Sequence, residues 1–176
     1  TTSAINIGAG LNKLGKKVLL IDLDSQANLS QSLGLKEKSK NIYGALRGEY
    51  SLEPISIFSG LDIVPSTRNL RTIEAELSSG AGSEFVLKEI IESTINNYDY
   101  ILLDTPPSLG LLTINAFVAS TMTLIPLQSE YLALQGLESL LDIASQIKKR
   151  LNPEFKIGGI FLTRYDQRKM LNRSIL

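Results

Sequence analysis

The chain has 176 residues, 43% apolar and 20% charged, which is the composition of a globular protein large enough to bury one ordinary core. Lys and Arg number 18 and Asp and Glu number 18, so the formal net charge is zero; that excludes a uniformly basic nucleic-acid coat and leaves a local patch open. With no Cys and no His, iron–sulfur clusters, structural zinc, thiol nucleophiles and His-based triads are excluded within the chain. No segment has the look of a signal peptide or of an apolar span of ~18 residues, so a cytoplasmic location is the default expectation.

In chain order, residues 2–14 read as a helix: Ala4, Ile5, Ile7, Gly8, Leu11 and Leu14 recur at helical spacing, and Gly15 stands where a terminating glycine belongs. Val18 to Ile21, between Lys17 and Asp22, is an unbroken apolar run of the kind shown by a strand covered on both faces. Asp24 to Asn28 reads as a polar turn, 41–48 as a short helix, and 61–64 as a strand ended by Pro65. Residues 67–78 and 83–96 read as helices separated by Ser79-Gly80-Ala81-Gly82. Residues 99–103 form a second buried-strand candidate, cut off by Pro106-Pro107. A helix over 111–119, a strand over 122–126, an amphipathic helix over 132–151 and a strand over 156–162 complete the chain. Strands alternating with helices of these lengths predict βαβ units, hence an α/β fold with a mostly parallel twisted sheet and helices on both faces. No repeat, low-complexity tract or long linker divides the chain, so residues 1–176 are expected to form one domain.

Ligands of open α/β sheets bind outside the carboxyl ends of the strands, so those ends come first. The first buried run delivers Asp22-Leu23-Asp24-Ser25-Gln26-Ala27-Asn28, and the second delivers Asp104-Thr105-Pro106-Pro107-Ser108. Carboxylates at such an edge suit a Mg²⁺–phosphate site, although an Asp after a strand also serves as a turn former or helix cap. Thr1-Thr2 at the start of a helix has the same two readings, a plain cap or a hydroxyl and N–H donor set for phosphate and Mg²⁺.

The ordered set of these motifs resembles the ParA/Soj family of chromosome- and plasmid-partitioning ATPases, which belong to the deviant Walker A (ParA/MinD) class of P-loop ATPases. The resemblance rests on Thr1 to Gly8, on Gly15 to Asn28, and on Asp99 to Gly110 as the Walker B segment. It continues through Ile125 to Leu137 and Gly158 to Arg168, nearly end to end in the family's order. The family's glycine-rich loop, Lys-Gly-Gly-Val-Gly-Lys, would lie immediately before Thr1, and the family continues past a point like Leu176. The chain is therefore expected to be the middle of such a protein, an incomplete ATPase domain that binds ATP poorly by itself.

The resemblance implies a P-loop NTPase fold, ATP and Mg²⁺ as cofactors, and a role for each matched residue. Thr1 follows the position of the P-loop Lys, so its hydroxyl would coordinate Mg²⁺, and Thr2 would sit near the α-phosphate. Asp24 matches the switch I residue that polarises the attacking water, and it is placed in the metal shell together with Asp104, the Walker B residue. Asp22 is expected to be structural, with Gln26 and Asn28 shaping the switch loop and Thr105-Pro106-Pro107-Ser108 forming the second switch. Thr163, Arg164 and Asp166 match positions that contact or line the adenine pocket, and Arg168 matches an Arg implicated in nonspecific DNA binding. Lys148-Lys149-Arg150 could extend that patch or only complement a helix dipole.

The implied function is an ATP-driven sandwich homodimer that binds DNA without sequence preference and is stimulated by a ParB-like centromere-binding protein, in the cytoplasm on the nucleoid. A MinD-like membrane-associated ATPase is the alternative within the class, and Gln128 to Gly136 favours the ParA/Soj side. A noncatalytic α/β scaffold is the alternative outside it; the presence of both Asp24 and Asp104 weighs against that reading.

Overall fold

A computed structural model describes residues 1–35, 40–78, 80–128 and 131–163. The chain divides into two compact units, Thr1–Ala119 and Ser120–Leu176. The first runs α1 (Thr2–Lys13), β1 (Val18–Asp22), α2 (Asn28–Ser32), α3 (Ile42–Leu46), β2 (Ile55–Phe58) and β3 (Leu61–Val64). It continues through a 3-10 turn (Arg68–Thr72), α4 (Ile73–Leu77), α5 (Val86–Glu92), a second 3-10 turn (Ile95–Asn97), β4 (Tyr100–Asp104) and α6 (Leu111–Ala119). The second unit contains β5 (Met122–Gln128), α7 (Tyr131–Arg150) and β6 (Lys156–Thr163).

In the first unit the strand order is β2-β3-β1-β4. β1 pairs in parallel with both β3 and β4, and every residue of it is buried. The alternation of a strand explains why one apolar run serves two cores. Leu19 and Ile21 face a cluster with Ile42, Leu46, Ile73, Leu87 and Leu112, contributed by α3 to α6. Val18 and Leu20 face the other way, onto Leu29 of α2 and Ile5 and Leu11 of α1. Helices therefore cover both faces, as the unbroken run predicts.

Three local readings needed tertiary context. β2 was not expected; it pairs antiparallel with β3 across the two-residue link Ser59-Gly60, with Gly60 at φ 80°. The expected helix over 67–78 is a 3-10 turn followed by a short α-helix, and that over 83–96 narrows to α5 and a second 3-10 turn. The polar turn expected through Asn28 instead leads into α2.

The second unit is a single βαβ: β5 and β6 pair in parallel from Met122↔Lys156 to Gln128↔Thr163, with α7 as the crossover. The register slips between Thr123 and Leu124, and a Cβ on Gly158 would fall 2.1 Å from Met122 Sδ. The bulge therefore needs a residue without a side chain.

Gly8 is the buried glycine on which the seating of α1 depends, because a Cβ there would lie 2.8 Å from Leu20 Cδ2 and 3.6 Å from Leu102 Cδ1. Alanine in place of a mid-helix glycine ordinarily adds roughly 0.5–1 kcal/mol. Here the overlap with Leu20 offsets that gain, so Gly8→Ala should leave the urea midpoint unchanged or lower. Gly8→Val should destabilise by about 1–3 kcal/mol, and equilibrium urea denaturation checks both.

Candidate functional site

The register of the two buried strands builds the site. β1 and β4 pair from Val18↔Tyr100 to Asp22↔Asp104, so both strands end level and bring two aspartates side by side at their carboxyl edge. The Leu23 N–H then donates to the Asp104 carbonyl at 2.9 Å, closing the edge behind them. α1 starts at the same place: the Thr1 amino nitrogen stands 2.6 Å from Asp104 Oδ1. Thr1, Asp22 and Asp104 thus meet, with Asp24 two residues beyond.

The two strand-end aspartates are chemically different. Asp22 is fully buried, and both its oxygens are used by the chain itself. Oδ2 accepts the Ser30 N–H at 2.9 Å and the Ser30 hydroxyl at 2.6 Å, while Oδ1 accepts the Asp24 N–H at 3.2 Å. Burial pushes the Asp22 carboxyl above its ordinary value; the bonds from Ser30 and Asp24 pull it down, and the neighbouring Asp104 charge adds to the rise. Asp104 is buried as well, yet its Oδ2 has no hydrogen-bond partner. An unpaired carboxylate oxygen in an interior is costly unless a cation or a cation-bound water meets it.

That oxygen suits magnesium, which takes one or two carboxylates and fills its remaining positions with water and phosphate oxygens. Among the described residues no group of three or more acidic, His or Cys side chains could hold a metal ion by itself. The chain therefore supplies anchoring oxygens rather than a closed cage.

Asp24 is half-buried and shapes its own turn: Oδ1 accepts the Gln26 N–H at 2.9 Å and its carbonyl accepts the Ala27 N–H at 2.8 Å. Thr1 is the N-cap residue of α1, but its side chain makes no capping bond. The capping role open to it in the sequence is not taken up. Thr2 is exposed, its carbonyl accepting from Asn6 Nδ2 at 2.8 Å. After β4, the Thr105–Ser108 segment is tied to α6 by the Thr113 hydroxyl, which donates to the Ser108 carbonyl at 2.6 Å. Glu74 braces the same helix start by accepting the Leu112 N–H at 3.2 Å.

In the second unit Thr163 ends β6, and its hydroxyl donates to the Leu127 carbonyl at 3.3 Å. Arg164, Asp166 and Arg168 lie outside the described residues. Lys148, Lys149 and Arg150 form the exposed last turn of α7. The sequence did not single out Ser30 or Ser66. Ser30 Oγ bonds Asp22 and also accepts the Ser66 N–H at 3.0 Å. No local pattern marks this pair, because its members come from the α2 region and from the chain after β3.

Comparison with known proteins supplies the family. The AAA domain family AAA_31 matches residues 1–157. The sporulation initiation inhibitor protein Soj of Bacillus subtilis is 40% identical over 181 residues, covering 100% of this chain and 72% of that protein. The chromosome partitioning protein ParA of Caulobacter vibrioides is 37% identical over 182 residues, covering 99% of this chain and 68% of ParA. Among solved structures, cobyrinic acid a,c-diamide synthase from Mycobacterium smegmatis with bound ADP and magnesium superposes with a TM-score of 0.94 at 33% identity. That superposition covers 99% of this chain and 73% of the synthase chain.

Because the edge offers anchoring oxygens without a cage, Mg²⁺ alone should show no saturable binding to this chain in a calorimetric titration at millimolar metal. Tight binding of the free ion would mean that the donor set is more complete than Asp104 and its neighbours.

Proposed function

The chain belongs to the ParA/Soj family of partitioning ATPases, and from that premise we propose that the protein carrying it is an ATP hydrolase that partitions chromosomes or plasmids. The observation that carries this reading is the level pairing of Asp22 with Asp104 at the start of α1, with Asp104 Oδ2 buried and unpartnered. Both units are read as parts of one ATPase domain, supported by a single family match that runs across them.

Each residue has a task that its chemistry fits. The Thr1 hydroxyl, free of any capping bond, would be a magnesium ligand, and Asp104 would hold the ion through a water. Thr2, in the first turn of α1, would face the α-phosphate, where helix N–H groups and the helix dipole favour an anion. Bound magnesium supplies neutralisation of the phosphate charge. Asp24 is the proposed acceptor that orients the attacking water and borders the metal shell; in a chain without His a carboxylate is the natural group for that role. Thr163, Arg164 and Asp166 are the proposed adenine contacts. The glycine-rich loop that the family sets ahead of the Thr1 position would provide the main phosphate grip.

The cellular reading is a cytoplasmic, nucleoid-associated protein: ATP closes a homodimer, the dimer binds DNA of any sequence, and a ParB-like partner stimulates hydrolysis. No helix among the described residues is long and apolar enough to cross a membrane. Since net charge is zero, DNA affinity must come from a local patch such as one around Arg168, doubled by dimerisation.

Two experiments test this reading in a protein that includes the glycine-rich loop. Asp24→Ala should slow steady-state ATP turnover by about 100-fold or more while ATP binding persists, whereas Asp104→Ala should weaken magnesium-dependent nucleotide binding itself. Unchanged turnover in Asp24→Ala removes that residue from the reaction. Arg168→Ala should weaken binding to two unrelated DNA sequences equally and lower the salt slope by about one unit for each copy engaged. Gel shifts across a salt series measure this; wild-type affinity and slope would move the DNA contacts elsewhere.

A further inference from the structure

We infer that Asp22 and Ser30 are paired positioning residues: their buried carboxylate–hydroxyl bond clamps both ends of the Leu23–Leu29 loop and thereby sets the backbone path that carries Asp24. The inference rests on the role proposed for Asp24. It assigns to Asp22 a task distinct from that of Asp104. Asp104 keeps a buried oxygen without a partner, whereas both Asp22 oxygens are already taken by N–H and O–H donors of the chain. Three of the roughly four acceptor sites of the Asp22 carboxylate are thus committed to the chain's own donors. Asp22 is a fixture.

The loop leaves β1 at Asp22 and reaches α2 at Asn28. Its apolar ends, Leu23 and Leu29, are fully buried, while Gln26 and Asn28 are exposed. The bonds that Asp24 itself makes, to the N–H groups of Gln26 and Ala27, stay inside the loop and cannot tie it to anything else. Backbone and amide bonds also hold the loop, from the Leu23 N–H to the Asp104 carbonyl and from Gln31 Nε2 to the Gln26 carbonyl, but the side-chain attachments that reach both ends converge on Asp22. One oxygen holds the Asp24 N–H near the loop start, and the other holds the N–H and hydroxyl of Ser30 just past its end. The 2.6 Å separation from the Ser30 hydroxyl is that of a charge-assisted bond. The same hydroxyl oxygen accepts the Ser66 N–H at 3.0 Å, which extends the clamp to the chain leaving β3.

The backbone between the two anchors is strained. Ala27 has φ 52° and ψ 33°, and among the described residues it is the one non-glycine residue with positive φ. Alanine disfavours this conformation, which persists where the surroundings over-determine it. A loop held at both ends by one buried carboxylate meets that condition. Loss of the clamp should let Ala27 relax and Asp24 wander, which impairs orientation of the water more than binding of nucleotide.

Ser66→Ala is the matched control. Ser66 Oγ is buried without a partner, and its N–H bond to Ser30 is a backbone bond that the substitution leaves in place. Amide hydrogen exchange on the chain itself gives a readout that needs neither nucleotide nor metal. Ser30→Ala should accelerate exchange at Asp24, Gln26 and Ala27 by about tenfold or more, and Ser66→Ala should stay within about twofold of wild type. In the ATP-hydrolysing protein Ser30→Ala should lower kcat by about 10- to 100-fold with the KM for ATP nearly unchanged.

Unchanged exchange in Ser30→Ala, equal acceleration in both variants, or a rise in KM at constant kcat overturns the clamp. If Ser30→Ala does not fold, wild type decides: the Ser30 amide should exchange about tenfold or more slowly than that of Gln26, and equal rates overturn the clamp. A wild-type protein without ATP turnover would sink the ATPase reading, and the exchange comparison would still decide whether the clamp exists.

Discussion

The level, parallel pairing of β1 with β4 is the constraint on which the rest of the structure depends. A parallel strand between two neighbours has both faces to cover, and β1 answers with a run in which every residue is buried. Its alternation sends Leu19 and Ile21 to one core and Val18 and Leu20 to the other. A slip of one residue would exchange the two sets and would also part Asp22 from Asp104. Packing and chemistry are thus specified by the same register.

Both aspartates are buried, and the structure treats them oppositely. Asp22 is satisfied three times over by local donors, so its burial is compensated by hydrogen bonding. Asp104 keeps one oxygen bare beside the start of a helix. Pairing or removing that oxygen would cost the fold less than leaving it bare, which is why its chemistry suits a ligand better than packing. In the proposed reaction one carboxylate fixes the scaffold and the other meets the ion, and the difference comes from hydrogen-bond partners, since the two residues are of one type at paired positions.

Much of the fold is legible from periodicity. The five strands expected at 17–22, 61–64, 99–103, 122–126 and 156–162 all appear, the second with the same bounds and the others within two residues at either end. Long apolar runs and long amphipathic helices are forced by burial, and burial leaves a strong imprint. Short elements leave a weak one. β2 has four residues after Pro54, and the Ser59-Gly60 link, a turn signal the sequence reading did not use, joins it to β3. α2 escaped because its N-cap is Ala27 in the left-handed region, where capping rules look for Ser, Thr, Asp or Asn.

Strand-end position alone made Asp24 and Asp104 candidates, because a run of buried residues followed by Asp says where a carboxylate emerges. The sequence by itself thus determined the α/β class, the two buried strands and the edge at which the acidic residues collect, since each depends on local order along the chain. The tertiary structure alone decided that Asp22 and Asp104 stand level, that Asp104 keeps an unpartnered oxygen, and that the Ser30 hydroxyl donates to Asp22 while accepting the Ser66 N–H. Those facts depend on register between strands far apart in sequence and on hydrogen bonds across the sheet edge. The physical reason is that such bonds form between segments brought together by burial elsewhere, and their partners carry no pattern that neighbouring residues could reveal.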